Sequence, residues 1–503
     1  MNKFVQLHSN DDVVISLEGI HKGQSLQIQT EDRGMIHIKA NDDIPKGHKM
    51  LVKPVKRGED VIKFGYSIGK AKEDISIGDW VHTHNLASGL HGILDYSYQP
   101  SIQDTEEPEP SQNHTFQGYI RENGEVGIRN EIWIINTVGC INKTCELLAK
   151  MGNEQFKDRK IDGVHHFSHP YGCSQLGDDL THTQKLLAAL VQHPNAAGVL
   201  VVGLGCENNQ IEAFKEVIGE FPPSRVKFLK AQEVHDELES GLRLMGELVE
   251  YAEGFARMPV PVSKLKIGLK CGGSDGFSGI TANPLVGAVS DLIAANGGTS
   301  ILTEVPEMFG AETILMNRAR DEETFNKIVD LINDFKQYFI RHDQEIYENP
   351  SPGNKEGGIS TLEEKSLGCT QKGGHATVVD VRPYGERVVK HGLNLINSPG
   401  NDLISVTALA AAGAHIVLFT TGRGTPFGGP VPTVKIATNS ELADRKKHWI
   451  DYNAGRLIEG QTIDELKDEL FHYILELSSG KKKTNNEKFG YREISIFKEG
   501  VIL

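Results

Sequence analysis

The run Cys271-Gly-Gly-Ser274-Asp275-Gly-Phe-Ser-Gly-Ile-Thr281-Ala-Asn283-Pro284, followed by Thr303-Glu304-Val-Pro-Glu307, gathers a thiol, three carboxylates and several hydroxyls around two turns. Thiols and carboxylates are the side chains that hold metal ions and carry protons. The elements that would present them are legible. A β-type run, Leu265 to Lys270, ends at the thiol. A helix then opens with Asn283 as N-cap and Pro284 at its first position, repeats apolar residues at Leu285, Val289 and Leu292, and stops at Gly297. A second β-type run, Thr299 to Thr303, delivers Glu304 and Glu307 just past its end. In an open α/β sheet the carboxyl ends of strands are where ligands bind, so these two turns read as one site.

Other turns carry similar groups. Phe419-Thr-Thr421-Gly-Arg423-Gly-Thr425-Pro-Phe-Gly428 follows an apolar strand, and Arg423 offers a bidentate fork for a carboxylate. Ser398-Pro-Gly-Asn-Asp402-Leu-Ile-Ser405-Val-Thr407 leads into an alanine-rich helix, a start suited to an oxyanion. His169-Pro-Tyr-Gly-Cys173-Ser-Gln175 and Gly205-Cys206-Glu207-Asn208 follow two further strands and form neighbouring turns around one pocket. The second begins as Val202-Gly203-Leu204-Gly205, like a dinucleotide fingerprint, but lacks the third glycine. In Val81-His82-Thr83-His84-Asn85, alternation places His82 and His84 on one side of an extended strand, where two imidazoles can bind a metal or a carboxylate.

Composition bounds the function. The chain has 503 residues, enough for two to four domains, with 38% hydrophobic and 24% charged residues. Its net charge of −15 argues against nucleic acid as a partner. Neither a signal-peptide apolar core nor a membrane-length apolar run is present. Six cysteines without a C-x-x-C pair form no disulfide framework and fit a reducing cytoplasm. Cys140, Cys173, Cys206, Cys271 and Cys369 each sit beside a glycine, which allows soft-ligand or redox-sensitive roles. They lack linear iron–sulfur spacing, leaving only a cluster assembled from distant turns. No serine-hydrolase elbow, Walker A loop or H-E-x-x-H occurs.

The organisation is an α/β multidomain chain. Residues 1–98 read as short, exposed strands of a small β domain. Residues 99–116, with Asp104-Thr-Glu-Glu-Pro-Glu-Pro, read as an acidic linker that tethers it. Residues 117–262 alternate strands and helices, as a parallel sheet requires, and 263–503 repeat that style with strands near 266, 299, 415 and 433. The glycine-rich run Ser351 to Gly374 reads as a long functional or mobile loop.

Taken together these motifs resemble the altronate/galactarate dehydratase family, with its sulfolactate sulfo-lyase relatives, over essentially the whole chain. Residues 1–98, with Ile44-Pro-Lys-Gly-His48 and Val81-His-Thr-His84-Asn, look like its β-clip module of the SAF type. The motifs at Cys271, Gly279-Ile-Thr-Ala-Asn-Pro284, Glu304 to Glu307 and Phe419 to Pro426 look like its catalytic body, a Rossmann-like variant. The resemblance implies a hydro-lyase of hexuronate catabolism that converts D-altronate to 2-dehydro-3-deoxy-D-gluconate with Fe(II) or Mn(II), as a homodimer. On that footing Cys271, Asp275 and Glu304 are the expected metal ligands, Glu307 the base and Arg423 the carboxylate clamp. Ser274, Thr281, Asn283, Asp402, Thr421 and Thr425 are expected to hold substrate, and His48, His82 and His84 to close over it. Galactarate dehydration, a nicotinamide-dependent oxidoreductase and a non-catalytic sugar-acid binder stay open as alternatives.

Overall fold

The third domain is built on a seven-stranded sheet whose spatial order is Val378–Arg382, Gly392–Ile396, Thr299–Leu302, Lys266–Cys271, Ile416–Thr421, Thr433–Ala437 and Tyr452–Asn453, every pair parallel. The computed structural model describes residues 3–30, 34–101 and 114–503. The central strands are buried on both faces and rich in Ile, Leu and Val, as a sheet covered by helices on both sides demands. Alternation decides which core each residue joins. Ile416 and Leu418 pack with Ala282–Ala295, Glu322–Arg341 and Ile463–Ser478, whereas Val417 and Phe419 face Asp402–Ala411. The chain fills one side of Lys266–Cys271 first and then crosses to Ile416–Thr421, so the switch point lies between these two strands.

The middle domain has four parallel strands ordered Val164–His166, Glu131–Asn136, Ala196–Gly203 and Val226–Lys230. Its helices Asn142–Gln155 and Glu237–Ala252 cover one face. On the other, Gly177–Val191 shares a core with Asp402–Ala411, so the two sheets sandwich a common helical layer. A short antiparallel sheet, Thr115–Ile120 with Val126–Gly127 and Arg257–Pro261, ties the entry and exit of this domain together. The alternating pattern did not disclose it, nor the strands at 378, 392 and 452. No helix among the described residues is long and apolar enough to cross a membrane.

The first domain is a set of short antiparallel strands, including Val13–Ser16, Lys49–Leu51, Asp60–Lys63, Tyr66–Ala71 and Trp80–Val81. Its strands are less exposed than their mixed composition implies: Val13–Ser16 is wholly buried. Most of the expected acidic linker, 102–113, lies outside the described residues. A tether is not the whole attachment, because Val13, Leu51, Val61 and Ile68 share a core with Ala311 and Leu367 of the third domain. Lys49 Nζ and Lys63 Nζ both reach the buried Glu364 carboxylate, at 2.8 and 2.7 Å.

Glu364 belongs to the run that was expected to be a glycine-rich loop. The run instead folds as helices Pro352–Glu356 and Leu362–Thr370 with a 3-10 turn, Gln371–Gly373. Thr361 caps the second helix through Glu364 N. That helix is buried on every side, Glu363, Glu364 and Lys365 included, so no apolar stripe announced it.

Replacing Glu364 by Gln leaves two buried ammonium groups short of their carboxylate, and we expect a loss of about 3–5 kcal/mol, read as a lower melting temperature and easier proteolysis between the first and third domains. Burial opposes ionisation of Glu364, but Lys49 and Lys63 override it and hold the carboxyl near about 2, below the ordinary 4.5. Its stabilisation is therefore complete above pH 4.5 and lost as pH falls toward about 2, a dependence that Glu364→Gln should abolish.

Candidate functional site

At the switch point the strand Lys266–Cys271 ends in a buried lysine and a buried thiol. Lys270 Nζ, fully enclosed, donates to Glu304 Oε1 and to Gly400 O at 3.1 Å, and lies 3.0 Å from Asp402 Oδ1. The other Glu304 oxygen accepts from Cys271 N at 3.1 Å and from Lys372 Nζ at 2.7 Å. Glu304 holds this place with φ of 70°, a left-handed conformation that is strained for a residue with a Cβ. One turn on, Glu307 pairs with Lys365 at 2.9 Å through one oxygen. Its other oxygen stands 3.3 Å from Cys271 Sγ and 3.1 Å from Cys369 Sγ, and the two sulfurs are 3.3 Å apart.

Cys271, Glu307 and Cys369 thus present three ligand atoms within 4.8 Å of one another, all buried. Two thiols and a carboxylate of that reach can hold one ion of the Fe(II) or Zn(II) kind. The surrounding charge fits. Lys270, Lys365 and Lys372 face Glu304, Glu307 and Asp402, so the cluster is balanced with both thiols protonated, and a divalent ion that displaces those two protons leaves it balanced. Burial opposes ionisation of Glu307, but Lys365, Lys270 and Lys372 hold its carboxyl well below the ordinary range. Burial likewise opposes the charge on Lys270, and Glu304 and Asp402 hold it above the ordinary lysine range. The hydrogen bond with Cys271, then burial, pushes the Cys369 thiol far up, so an ion must supply the driving force for its deprotonation.

Beside Cys369 lies a small cavity lined by Ser274, Asp275, Asn283 and Lys365, with Lys63 and Phe64 from the first domain. Ser274 Oγ is buried there without a protein partner, a donor and acceptor left for a ligand. Asp275 is separate from the thiols. Its carboxylate accepts from Thr438 Oγ1 at 3.0 Å and Phe277 N at 3.1 Å, and burial pushes its pKa up. Asp402 heads its helix beside Gly272, with Asn401 rather than itself as N-cap. Asn283 is not the N-cap expected of it. The helix begins at Ala282 behind Thr281, and the Asn283 side chain instead joins Gly368 O at 2.9 Å to Thr420 Oγ1 at 2.6 Å. Thr281 reaches Thr438 O at 2.8 Å, while Thr421 and Thr425 accept from backbone N–H groups of their own loop. Arg423 is exposed, outside the cavity lining, and pairs with Glu356 at 3.1 Å.

The first domain contributes a cluster of rings that packs against Glu356 and Ser360. His82 and His84 do not lie along a strand, because the chain turns at His82, whose carbonyl accepts from Asn85 N and Leu86 N. Both rings still meet Trp80, His82 stacked at 5.3 Å and exposed His84 tilted at 5.1 Å. His48 Nδ1 accepts the Trp80 indole N–H at 3.2 Å, so Nε2 carries the proton and donates to Glu356 O at 3.2 Å. His82 Nδ1 meets Ser360 Oγ at 3.0 Å. Burial, with Lys49 nearby, holds His82 down to about 4, and burial lowers His48 as well. Gly276 lets the two domains approach: a Cβ there would stand 2.0 Å from Gly47 O.

Sequence reasoning left Lys270, Lys365, Lys372 and Cys369 outside the site. Lys270 stood in an apolar strand, the other three in the supposed loop, and only the glycine beside Cys369 marked it. The Gly203 turn is no dinucleotide site, since Glu207 accepts from Leu204 N and Gly205 N at 3.1 and 2.7 Å, filling the amides a pyrophosphate would need.

Three family models match in series: an altronate/galactarate dehydratase SAF domain over residues 2–89, a D-galactarate dehydratase/altronate hydrolase second domain over 118–253, and a D-galactarate/altronate dehydratase C-terminal domain over 262–502. An altronate dehydratase of Bacillus subtilis (strain 168) is 54% identical over 100% of both chains, and one of Escherichia coli (strain K12) is 51% identical, again over 100% of both. The chain belongs to the altronate/galactarate dehydratase family. A galactarate dehydratase (L-threo-forming) of Escherichia coli (strain K12) stands further off within that family, 33% identical over 98% of this chain and 96% of its own.

Of the two glutamates in this dehydratase site, Glu307 touches both thiols while Glu304 is occupied by two lysines. Glu307→Gln is therefore expected to weaken Fe(II) binding by more than the ~10–100-fold typical of groups behind a ligand, and Glu304→Gln to stay within that range. Calorimetric titration of both variants with Fe(II) under argon reads the difference, and an equal loss in the two would contradict this ligand set.

Proposed function

We propose that this protein is a metal-dependent hydro-lyase that removes water from D-altronate to give 2-dehydro-3-deoxy-D-gluconate, acting as a homodimer in the cytoplasm. What carries the reading is the buried Cys271–Glu307–Cys369 set beside a polar cavity, in a chain that matches altronate dehydratases from end to end. Of Fe(II) and Mn(II), the thiol-rich set favours Fe(II), because manganese prefers oxygen donors. When bound, such an ion supplies Lewis-acid neutralisation of the charge that develops on a sugar-acid carboxylate and its neighbouring hydroxyl.

The chain's own groups divide the remaining work. In this assignment Glu307 is a ligand kept ionised by Lys365, while Glu304 keeps Lys270 and Lys372 in place. Asp275 shapes the loop that carries Ser274. The Ser274 hydroxyl and the Lys365 ammonium line the cavity and bind substrate oxygens, and Arg423, exposed outside that lining, is the clamp for the substrate carboxylate. The difficult step is removal of a proton α to a carboxylate, which needs a base that is unprotonated at neutral pH. His82 fits better than His48, because both His48 nitrogens are engaged whereas His82 Nε2 is not hydrogen-bonded.

Anaerobic turnover of D-altronate and galactarate, with Fe(II), Mn(II) and chelator, tests the reading. We expect a 2-keto-3-deoxy acid from altronate that requires metal, and turnover of galactarate alone would overturn the substrate. His82→Asn should lower kcat by roughly 10²–10⁴-fold, the range for a lost general base, with His48→Asn well short of it. Since His82 titrates near about 4, its neutral form prevails above that pH, and kcat/KM should fall as pH drops through about 4.

A further inference from the structure

The middle domain has a switch point of its own, between Glu131–Asn136 and Ala196–Gly203, and nothing in the reaction above uses it. Three adjacent strands meet there, and each is followed by a Gly-Cys step: Gly139-Cys140, Gly172-Cys173 and Gly205-Cys206. All three thiols are exposed, whereas Cys145, Cys271 and Cys369 are buried. Cysteine is among the residues most often buried, so three exposed on one sheet edge, at the place where open α/β sheets bind ligands, call for a ligand.

The three turns form one unit. Gly139 N donates to Tyr171 O at 2.8 Å, Asn209 N to Gly172 O at 3.0 Å, and Ser174 N to Asn208 Oδ1 at 2.7 Å. The C-terminal segment straps them from outside, with Leu503 N donating to Ser174 O at 3.0 Å. Gly172, Ser174 and Gly205 take φ of 98°, 57° and 133°. These left-handed steps fold each turn back on its strand end, and the N–H groups of Gly172, Ser174 and Gly205 are bonded within the unit, to Gln175 Oε1, Asn208 Oδ1 and Glu207 Oε2, which fixes the turns that carry the thiols. Gly172 is required on steric grounds too, since a Cβ would stand 1.9 Å from Thr137 O. In the second and third turns, Gln175 Nε2 and Asn209 Oδ1 are buried without a partner, in side chains 2% and 0% exposed. Two orphaned polar atoms in the same unit mark a missing group.

We infer that Cys140, Cys173 and Cys206 hold an iron–sulfur cluster of the [4Fe–4S] type. Among the described residues the donor atoms that converge within 4.8 Å are those of Cys271, Glu307 and Cys369, so the three middle-domain thiols stand too far apart to share one ion. A cluster spans that wider triangle. It takes three thiolates, releasing their protons on assembly, and leaves one iron for an oxygen ligand, since Cys145 is buried in the helical core on one face of the middle sheet.

The test does not depend on altronate turnover. The full chain is purified under argon, or reconstituted with ferric iron, inorganic sulfide and a dithiol that reduces half of the iron. It is then assayed for acid-labile sulfide, visible absorption and, after dithionite, paramagnetic resonance. We expect ~4 labile sulfides per chain with sulfide-to-iron charge-transfer absorption. Cys140→Ser, Cys173→Ser and Cys206→Ser should each lower the sulfide at least tenfold at unchanged helical content, while Cys271→Ser and Cys369→Ser retain it. Absence of labile sulfide from the wild-type chain would overturn the inference. So would a single ion on the three thiols without sulfide, or sulfide that survives all three substitutions.

Discussion

The ammonium of Lys270 is the constraint from which the site follows. A charge with no exposure at the end of a central strand is tolerable only if carboxylates and carbonyls surround it. Glu304, Asp402 and Gly400 O do so, and they come from the turns that follow the two strands next in order on one side, Thr299–Leu302 and Gly392–Ile396. Meeting that demand draws Glu304 into a left-handed conformation and starts the turn that sets Glu307 against both thiols. Lys372 then completes the Glu304 pairing from the far side, which fixes the end of the helix that carries Cys369 and Lys365. The same device recurs at the domain junction, where Glu364 of that helix is the common partner of Lys49 and Lys63. One buried helix, Leu362–Thr370, thereby links the first domain to the deepest part of the site.

How much of this was legible depended on how each residue is buried. The strands that end at Cys271 and Glu304 and the helices that follow Asn283 and Asp402 showed plainly, because apolar runs and apolar helical spacing end in glycine, proline and hydroxyl-rich turns. The helix Leu362–Thr370 was hidden because it is buried on all sides with its charged residues paired inside, so Glu363, Glu364 and Lys365, and Lys372 just beyond it, read as solvent-facing polarity. Pairing of charges between distant segments leaves no local periodicity. The His82–His84 alternation misled for a related reason: period two is a strand signal only where the backbone stays extended, and the Asn85 side chain, bonded to His82 N at 3.0 Å, closes a turn there. Asn283 read as a cap because asparagine before proline is one, yet its amide was needed to join Gly368 to Thr420 across the sheet.

The two α/β domains share a helical layer and present loops at the carboxyl ends of their parallel strands, each with its own reversal of strand order. The first domain packs on the third, and the consequence is chemical. Beneath it Cys271 and Cys369 are buried with Glu307, beside a small cavity that the first domain closes with Lys63 and Phe64, whereas Cys140, Cys173 and Cys206 of the middle domain are open to solvent. Exclusion of water raises the weight of every charge inside, which is why the buried site must be balanced residue for residue and the open one need not be.

That balance bears on the ion proposed for the buried site. With Lys270, Lys365 and Lys372 matched by Glu304, Glu307 and Asp402, a divalent ion can enter without stranding charge only if two protons leave, and the protons available are those of Cys271 and Cys369. The pKa of the Cys369 thiol is raised far above its ordinary value by its contact with Cys271 and by burial. An oxygen-preferring ion gains little from thiolates and would have to work against that shift, while an ion with real affinity for sulfur offsets it through the bonds it forms. The lysines therefore act as a filter on the metal: by neutralising the carboxylates they leave sulfur as the donor whose binding decides occupancy, and they tilt the proposed site from Mn(II) toward Fe(II).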